Sequence, residues 1–193
     1  MPAATADRST DAKRVRFTVE EFERMVEVGI IAEDARVELI EGELYEMAPI
    51  GPWHSAGVDA LTRTLTAAGA VGPIVRVQSS VRVGAISEPQ PDVTVLRYRA
   101  DFYRNDGAGA EDVLLIIEVS DSSIGHDRNQ KLPMYARAGI PEVWVITRFP
   151  AVIEVYRRPS GDAYAERREF VRGETVSPLL VPGVEVVVAE VTG

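Results

Sequence analysis

Two short apolar runs without a polar interruption, residues 113–117 and 143–146, constrain this chain more than any other feature. A strand that is apolar at every position has no solvent face, so each run reads as a central strand covered on both sides. Between them lies a segment of helical character, residues 127–140. Leu132, Tyr135 and Ala136 form its apolar side, and Gly139 followed by Pro141 ends it. Strand, helix and strand in that order most simply make a right-handed parallel crossover. Pro133 clashes with the preceding turn if it lies deep in a helix, which puts the regular helix start near Asn129 and Gln130.

Other elements arrange themselves around this unit. Thr18 and Glu21 make a capping-box pattern ahead of the stripe Phe22, Met25 and Val26, so a short helix opens the fold. Residues 37–47 read as a hairpin about Glu41-Gly42, and a second helix follows His54 with Val58, Leu61 and Leu65 on one side. Residues 75–83 alternate, with Arg76, Gln78, Ser80 and Arg82 at the polar positions of a half-buried strand. After Pro91, period two puts Asp92 and Thr94 on one face and Val93 and Val95 on the other. Residues 151–158 and 163–171 flank the turn Pro159-Ser160-Gly161-Asp162, and residues 184–188 suggest an edge strand. Residues 1–16 are small and polar and read as a flexible N-terminal tail before a single domain over 17–193.

Composition excludes several function classes. The 193 residues are 46% hydrophobic, enough for one core of ordinary domain size. Cysteine is absent, which removes disulfides, thiolate metal sites and thiol catalysis. The longest apolar run falls far short of the roughly 20 residues of a membrane span, and residues 1–14 lack the apolar stretch of a secretory signal. A cytoplasmic protein without membrane contact is the expectation. The net charge of −9 is not that of a typical DNA-binding module. Ten acidic side chains against Arg24 and Arg36 concentrate −8 of it in residues 17–46. Arg97, Arg99 and Arg104, and Arg157, Arg158, Arg167, Arg168 and Arg172, form two basic clusters that read as solvated surface.

Phosphate-loop, nucleophile-elbow, zinc-protease and dinucleotide signatures are missing. Carboxylates at strand ends remain. Glu118 closes the run 113–117, where an ionised group is costly unless a cation neutralises it, and Asp92 begins the neighbouring strand. Carboxylates on adjacent strand ends suit hard divalent cations. A structural ion pair of Glu118 with Arg128 or Lys131 explains the same residues.

Four segments carry a likeness to a known family: Glu38-Leu39-Ile40-Glu41-Gly42-Glu43, Ser87-Glu88-Pro89-Gln90-Pro91-Asp92, residues 117–123 from Ile117-Glu118 onward, and Asp127-Arg128-Asn129-Gln130-Lys131-Leu132-Pro133. With residues 135–144, their order and spacing resemble the Uma-two family of restriction endonucleases, placed in the PD-(D/E)XK nuclease superfamily. The resemblance implies an α/β, restriction-endonuclease-like core: a mixed central sheet flanked by helices in the order αβββαβ, with an added N-terminal helix and hairpin and a C-terminal hairpin. It implies Asp92 and Glu118 as metal ligands, Glu38 as a further ligand with Glu41 as runner-up, and Mg²⁺ or Mn²⁺ as cofactor. The superfamily lysine would fall at Ser120, and serine cannot supply a cation. Lys131 is the matching position on the following helix, with Gln130 next in line. His54 occupies a family-like position, read alternatively as a capping or packing residue. Thr147 stands where relatives usually carry an aspartate.

The implied activity is metal-assisted hydrolysis of DNA phosphodiesters, in which divalent ions lower the pKa of water and offset phosphate charge. A homodimer would supply two sites for the two strands of a duplex. A non-catalytic nucleic-acid-binding or regulatory module on the same fold, and a small-phosphoester hydrolase, are the competing classes.

Overall fold

The computed structural model describes residues 14–67, 72–121 and 123–193; most of the expected N-terminal tail lies outside them. Thr18 Oγ1 accepts from the Glu21 amide and the Glu21 carboxylate accepts from the Thr18 amide, so the capping box starts α1 (Val19–Glu27). β1 (Val37–Ile40) and β2 (Glu43–Glu46) form the hairpin. Glu41 and Gly42 both have positive φ, 51° and 79°, matching the twist of a two-residue turn. A side chain at position 42 would also meet Arg16, whose Cβ stands 2.5 Å from where a Cβ would be.

α2 (Pro52–Thr66) takes Pro52 in its first turn, where a missing N–H costs nothing. His54 therefore lies inside this helix, not ahead of it. β3 (Ile74–Val77) is shorter than the alternation of residues 75–83 suggests. Gln78 turns to a φ of 45° and ends the strand, and Val81 and Val83 are buried by a looping segment. β4 (Val93–Leu96) and β5 (Val113–Ser120) follow. β5 continues three residues past the apolar run, so Glu118 is an interior residue of the strand and not its end.

The helical connection has three parts: α3 (Ile124–His126), a π turn (Asp127–Lys131) and α4 (Leu132–Arg137). It starts earlier than Asn129 because the π turn accommodates Pro133. A wider turn relocates the carbonyl that the proline ring would strike. β6 (Glu142–Thr147), β7 (Val152–Ser160) and β8 (Ala163–Val171) complete the main sheet. Residues 184–188 do not edge it. β10 (Val186–Val187) pairs with β9 (Thr175–Val176), and the chain then turns into α5 (Val188–Thr192).

Six strands run in the order β3-β4-β5-β6-β7-β8, with β5 and β6 parallel and every other pair antiparallel. This is the mixed sheet expected, with β5 and β6 at its centre. On one face Val58, Leu61 and Leu65 of α2 join Val188 and Val191 of α5 against Ile117 and Trp144. On the other, Leu132 and Tyr135 of α4 pack on Ile116, Val143 and Val145. Both faces of the central strands are thereby covered, as their composition demands. Among the described residues no helix is long and apolar enough to cross a membrane.

Candidate active site

Register brings the carboxylates together. Val93 pairs with Ile117 across β4 and β5, so Asp92, one residue earlier, falls opposite Glu118. The Val119 amide donates to Asp92 Oδ2 at 2.8 Å and fixes the carboxylate beside the strand. Glu38 arrives from the separate hairpin. Reciprocal backbone hydrogen bonds between Leu39 and Glu88, with the Glu41 amide donating to Ser87 Oγ, dock β1 against the segment leading into Asp92. The Gln90 amide then donates to Glu38 Oε2 at 3.1 Å.

Lys131 comes from the end of the π turn and is 4% exposed. Its Nζ lies 3.0 Å from Glu38 Oε2 and 3.3 Å from Glu118 Oε1. Tyr135, one turn on, donates its hydroxyl to the same Glu118 Oε1 at 2.7 Å. All four sequence candidates, Glu38, Asp92, Glu118 and Lys131, thus line one cleft of about 300 Å³, with His54 and His126 beside them. Glu41 does not: it pairs with Arg137 at 2.9 Å on the outer side of the hairpin. Gln130 lines a separate groove with Asn129 and Arg137. Arg128 turns away from Glu118 and binds the buried Glu154, which Arg167 also contacts. Asp127, one turn before Lys131, makes no ion pair with it; its Oδ2 accepts from Ser120 Oγ and Ser123 Oγ. Ser120 therefore anchors the helix where the superfamily keeps its lysine. Thr147 donates its hydroxyl to the Pro150 carbonyl, a turn contact.

Electrostatics follow from burial. Removal from water pushes Glu118 up to about 8, against the pull of Lys131. Burial alone would lower Lys131, but the carboxylates of Glu118 and Glu38 outweigh it and raise the ammonium's pKa. Glu38 is held below the usual carboxylate range, because His126, Lys131 and the Gln90 amide outweigh its desolvation. Glu38 and Lys131 are accordingly the firm ion pair, and Glu118 is the group that takes up a proton. His54 Nε2 lies 2.9 Å from Asp92 Oδ1 but out of line for an N–H donor, and the carboxylate raises the imidazole's pKa.

Tyr135 escaped notice as a site residue because its position also fits the apolar stripe of α4. Its spacing of four from Lys131 puts both on one side of a helix, and that signal could have found it. His126 and Arg36, also in the cleft wall, are lone residues without a pattern.

The donor set suits a hard divalent cation in kind. Asp92 and Glu118 offer carboxylate oxygens from adjacent strands, and Mg²⁺ is commonly held by one or two carboxylates with water and phosphate completing the shell. Among the described residues no three of His, Asp and Glu group closely enough to hold an ion by themselves. Glu38 faces Lys131 rather than standing with the other two.

A mixed sheet with carboxylates on neighbouring central strands and a buried lysine on the crossover helix is the architecture of a restriction-endonuclease-like protein. The family model for Uma2, described as putative restriction endonuclease, matches residues 19–189, and the chain belongs to that family. The crystal structure of a putative nuclease belonging to DUF820 from Anabaena variabilis ATCC 29413 is similar in fold. It has a TM-score of 0.70 at 16% identity and covers 91% of this chain and 97% of that one. No curated protein matches the chain.

Proposed function

We propose that the chain is a divalent-metal-dependent endonuclease that hydrolyses DNA phosphodiester bonds in this cleft. The observation that carries the reading is the convergence of Asp92 and Glu118 from adjacent strands on a cleft whose lysine stands 3.3 Å from Glu118. Asp92 and Glu118 would hold Mg²⁺ or Mn²⁺. When bound, such an ion acts as a Lewis acid that activates water and neutralises charge on the phosphate.

The chain's own residues do the rest. Lys131 keeps its proton and presents N–H donors, which can orient the attacking water or a phosphate oxygen. Glu38 and Glu118 aim that ammonium from two sides, so Glu38 serves as the tether of the lysine. Tyr135 holds Glu118 Oε1 and limits the rotation of the carboxylate. His54 restrains Asp92 from the α2 side. Two copies of the chain would place one site on each strand of a duplex.

Purified protein incubated with supercoiled DNA and Mg²⁺ or Mn²⁺ should nick it, and EDTA should stop the reaction. Turnover of a small phosphoester without any DNA cleavage would replace this reading with that of a phosphoesterase. Binding of DNA with no cleavage under any divalent ion would leave a binding module.

A further inference from the structure

The cleft presents six carboxylates, Glu38, Glu46, Asp92, Glu118, Asp121 and Asp127, and a phosphodiester entering it needs cations beyond any metal. Two of the three N–H donors of Lys131 are taken by Glu38 and Glu118. Arg36 is different. It lines the same cleft, just before Glu38, yet has no carboxylate within ion-pair distance among the described residues. Its Nε is buried and finds no hydrogen-bond partner there. A buried donor left unpaired costs stability, and persists where a ligand supplies the acceptor. Its backbone is fixed, since the Met47 amide donates to the Arg36 carbonyl at 2.8 Å across the hairpin. His54, which stands 2.9 Å from Asp92, lines the same cleft as Arg36.

We infer that Arg36 is a phosphate-binding residue of this cleft, its planar fork taking the non-bridging oxygens of a nucleic-acid phosphate in the cleft that Asp92 and Glu118 also line. The inference rests on the phosphodiester reading above and adds to it the residue that recognises the anion. A guanidinium suits the role because its donors match two phosphate oxygens at once. With one fixed arginine the cleft gains a phosphate contact without the broad basic surface that the acidic composition lacks.

The test measures binding apart from chemistry. In a Glu118→Gln background, which removes one metal ligand, a fluorescein-labelled 12-base-pair DNA duplex and a single-stranded RNA of the same sequence are titrated by anisotropy across a range of salt. Arg36→Ala should weaken binding by about tenfold and reduce the slope of log K against log salt by about one, the signature of one lost phosphate contact. Arg36→Lys should keep the slope and recover only part of the affinity. In the otherwise unaltered chain, Mg²⁺ binding by calorimetry should not weaken on Arg36→Ala, since no ligand is removed. An arginine with a packing role alone would change the melting temperature and leave the salt slope untouched, which would overturn the inference. Should Arg36→Ala fail to fold, Arg36→Lys decides, and binding as tight as the parent's overturns the role of the fork. Failure of the parent and the unaltered protein to bind either nucleic acid would sink the phosphodiester reading itself, and the inference with it.

Discussion

Replacing Lys131 by methionine removes the charge from a site where neither partner can turn to water. The side chains of Lys131, Glu38 and Glu118 are 5%, 4% and 4% exposed, and both ion-pair distances are within 3.3 Å. Breaking a buried pair by deleting one partner costs about 3–5 kcal/mol, because the other charge is left uncompensated. For a chain of this size each kcal/mol shifts the melting temperature by about 2–4 °C, so Lys131→Met should lower it by about 6–20 °C. The loss should divide unequally. Glu118, pushed up to about 8 by burial, already holds a proton at pH 7, whereas Glu38 is held ionised by His126 and the Gln90 amide as well as by Lys131, so Glu38→Gln should rescue Lys131→Met more fully than Glu118→Gln does. Urea unfolding of the two double-mutant cycles at pH 7 reads this as coupling energies. A Lys131→Met protein melting within a degree or two of the parent, or equal rescue by both glutamines, would refute the reasoning. In that event Lys131 is a solvated lysine, and its charge is not what holds Glu38 in the cleft.

Calorimetry should detect Mg²⁺ or Mn²⁺ binding that disappears in Asp92→Ala and in Glu118→Ala, and unchanged binding in both variants would remove the metal reading. Burial places Glu118 near 8, so it is protonated at pH 7 without metal; ion binding should release up to one proton and strengthen toward pH 8. Titrations in buffers of different ionisation enthalpy measure that proton directly, and zero release would contradict it. Burial would raise Glu154, but its hydrogen bonds to Arg128, Arg167 and Tyr156 outweigh this and lower its pKa. The stability it contributes is present above the ordinary carboxylate value of about 4.5 and lost as pH falls through the lower folded value. Glu154→Gln should therefore flatten the decline of the melting temperature below that pH, and an unaltered decline would show that the network contributes little.

What could be read beforehand divides along physical lines. Asp92 and Glu118 were legible because a strand has a period of two and apolar residues on both faces leave a carboxylate conspicuous. The helix stripe identified Leu132, Tyr135 and Ala136, but a stripe assumes 100° per residue, and the π turn at Asp127–Lys131 breaks that phase. Where Lys131 would point was for this reason beyond periodicity, and so was its buried pair with Glu38. The pairing of Arg157 and Arg167 with the buried Glu142 and Glu154 was equally hidden, because a cluster of arginines looks the same on a solvated strand as over a buried carboxylate. The end of β3 at Gln78 depends on a single positive φ that no side-chain pattern announces.

The hairpin that supplies Glu38 has a consequence for the order of events during synthesis. Its acidic side chain is made 93 residues ahead of Lys131, the cation that neutralises it. At about 5–20 residues per second a growing chain carries that glutamate unmatched for roughly 5–20 s, longer still before β6 lays down the far side of the central sheet. Until then docking β1 means burying a lone carboxylate, and the hairpin gains by staying in water. The cleft accordingly cannot close before Lys131 is made, so that a partly made copy holds its acidic segment without an assembled centre.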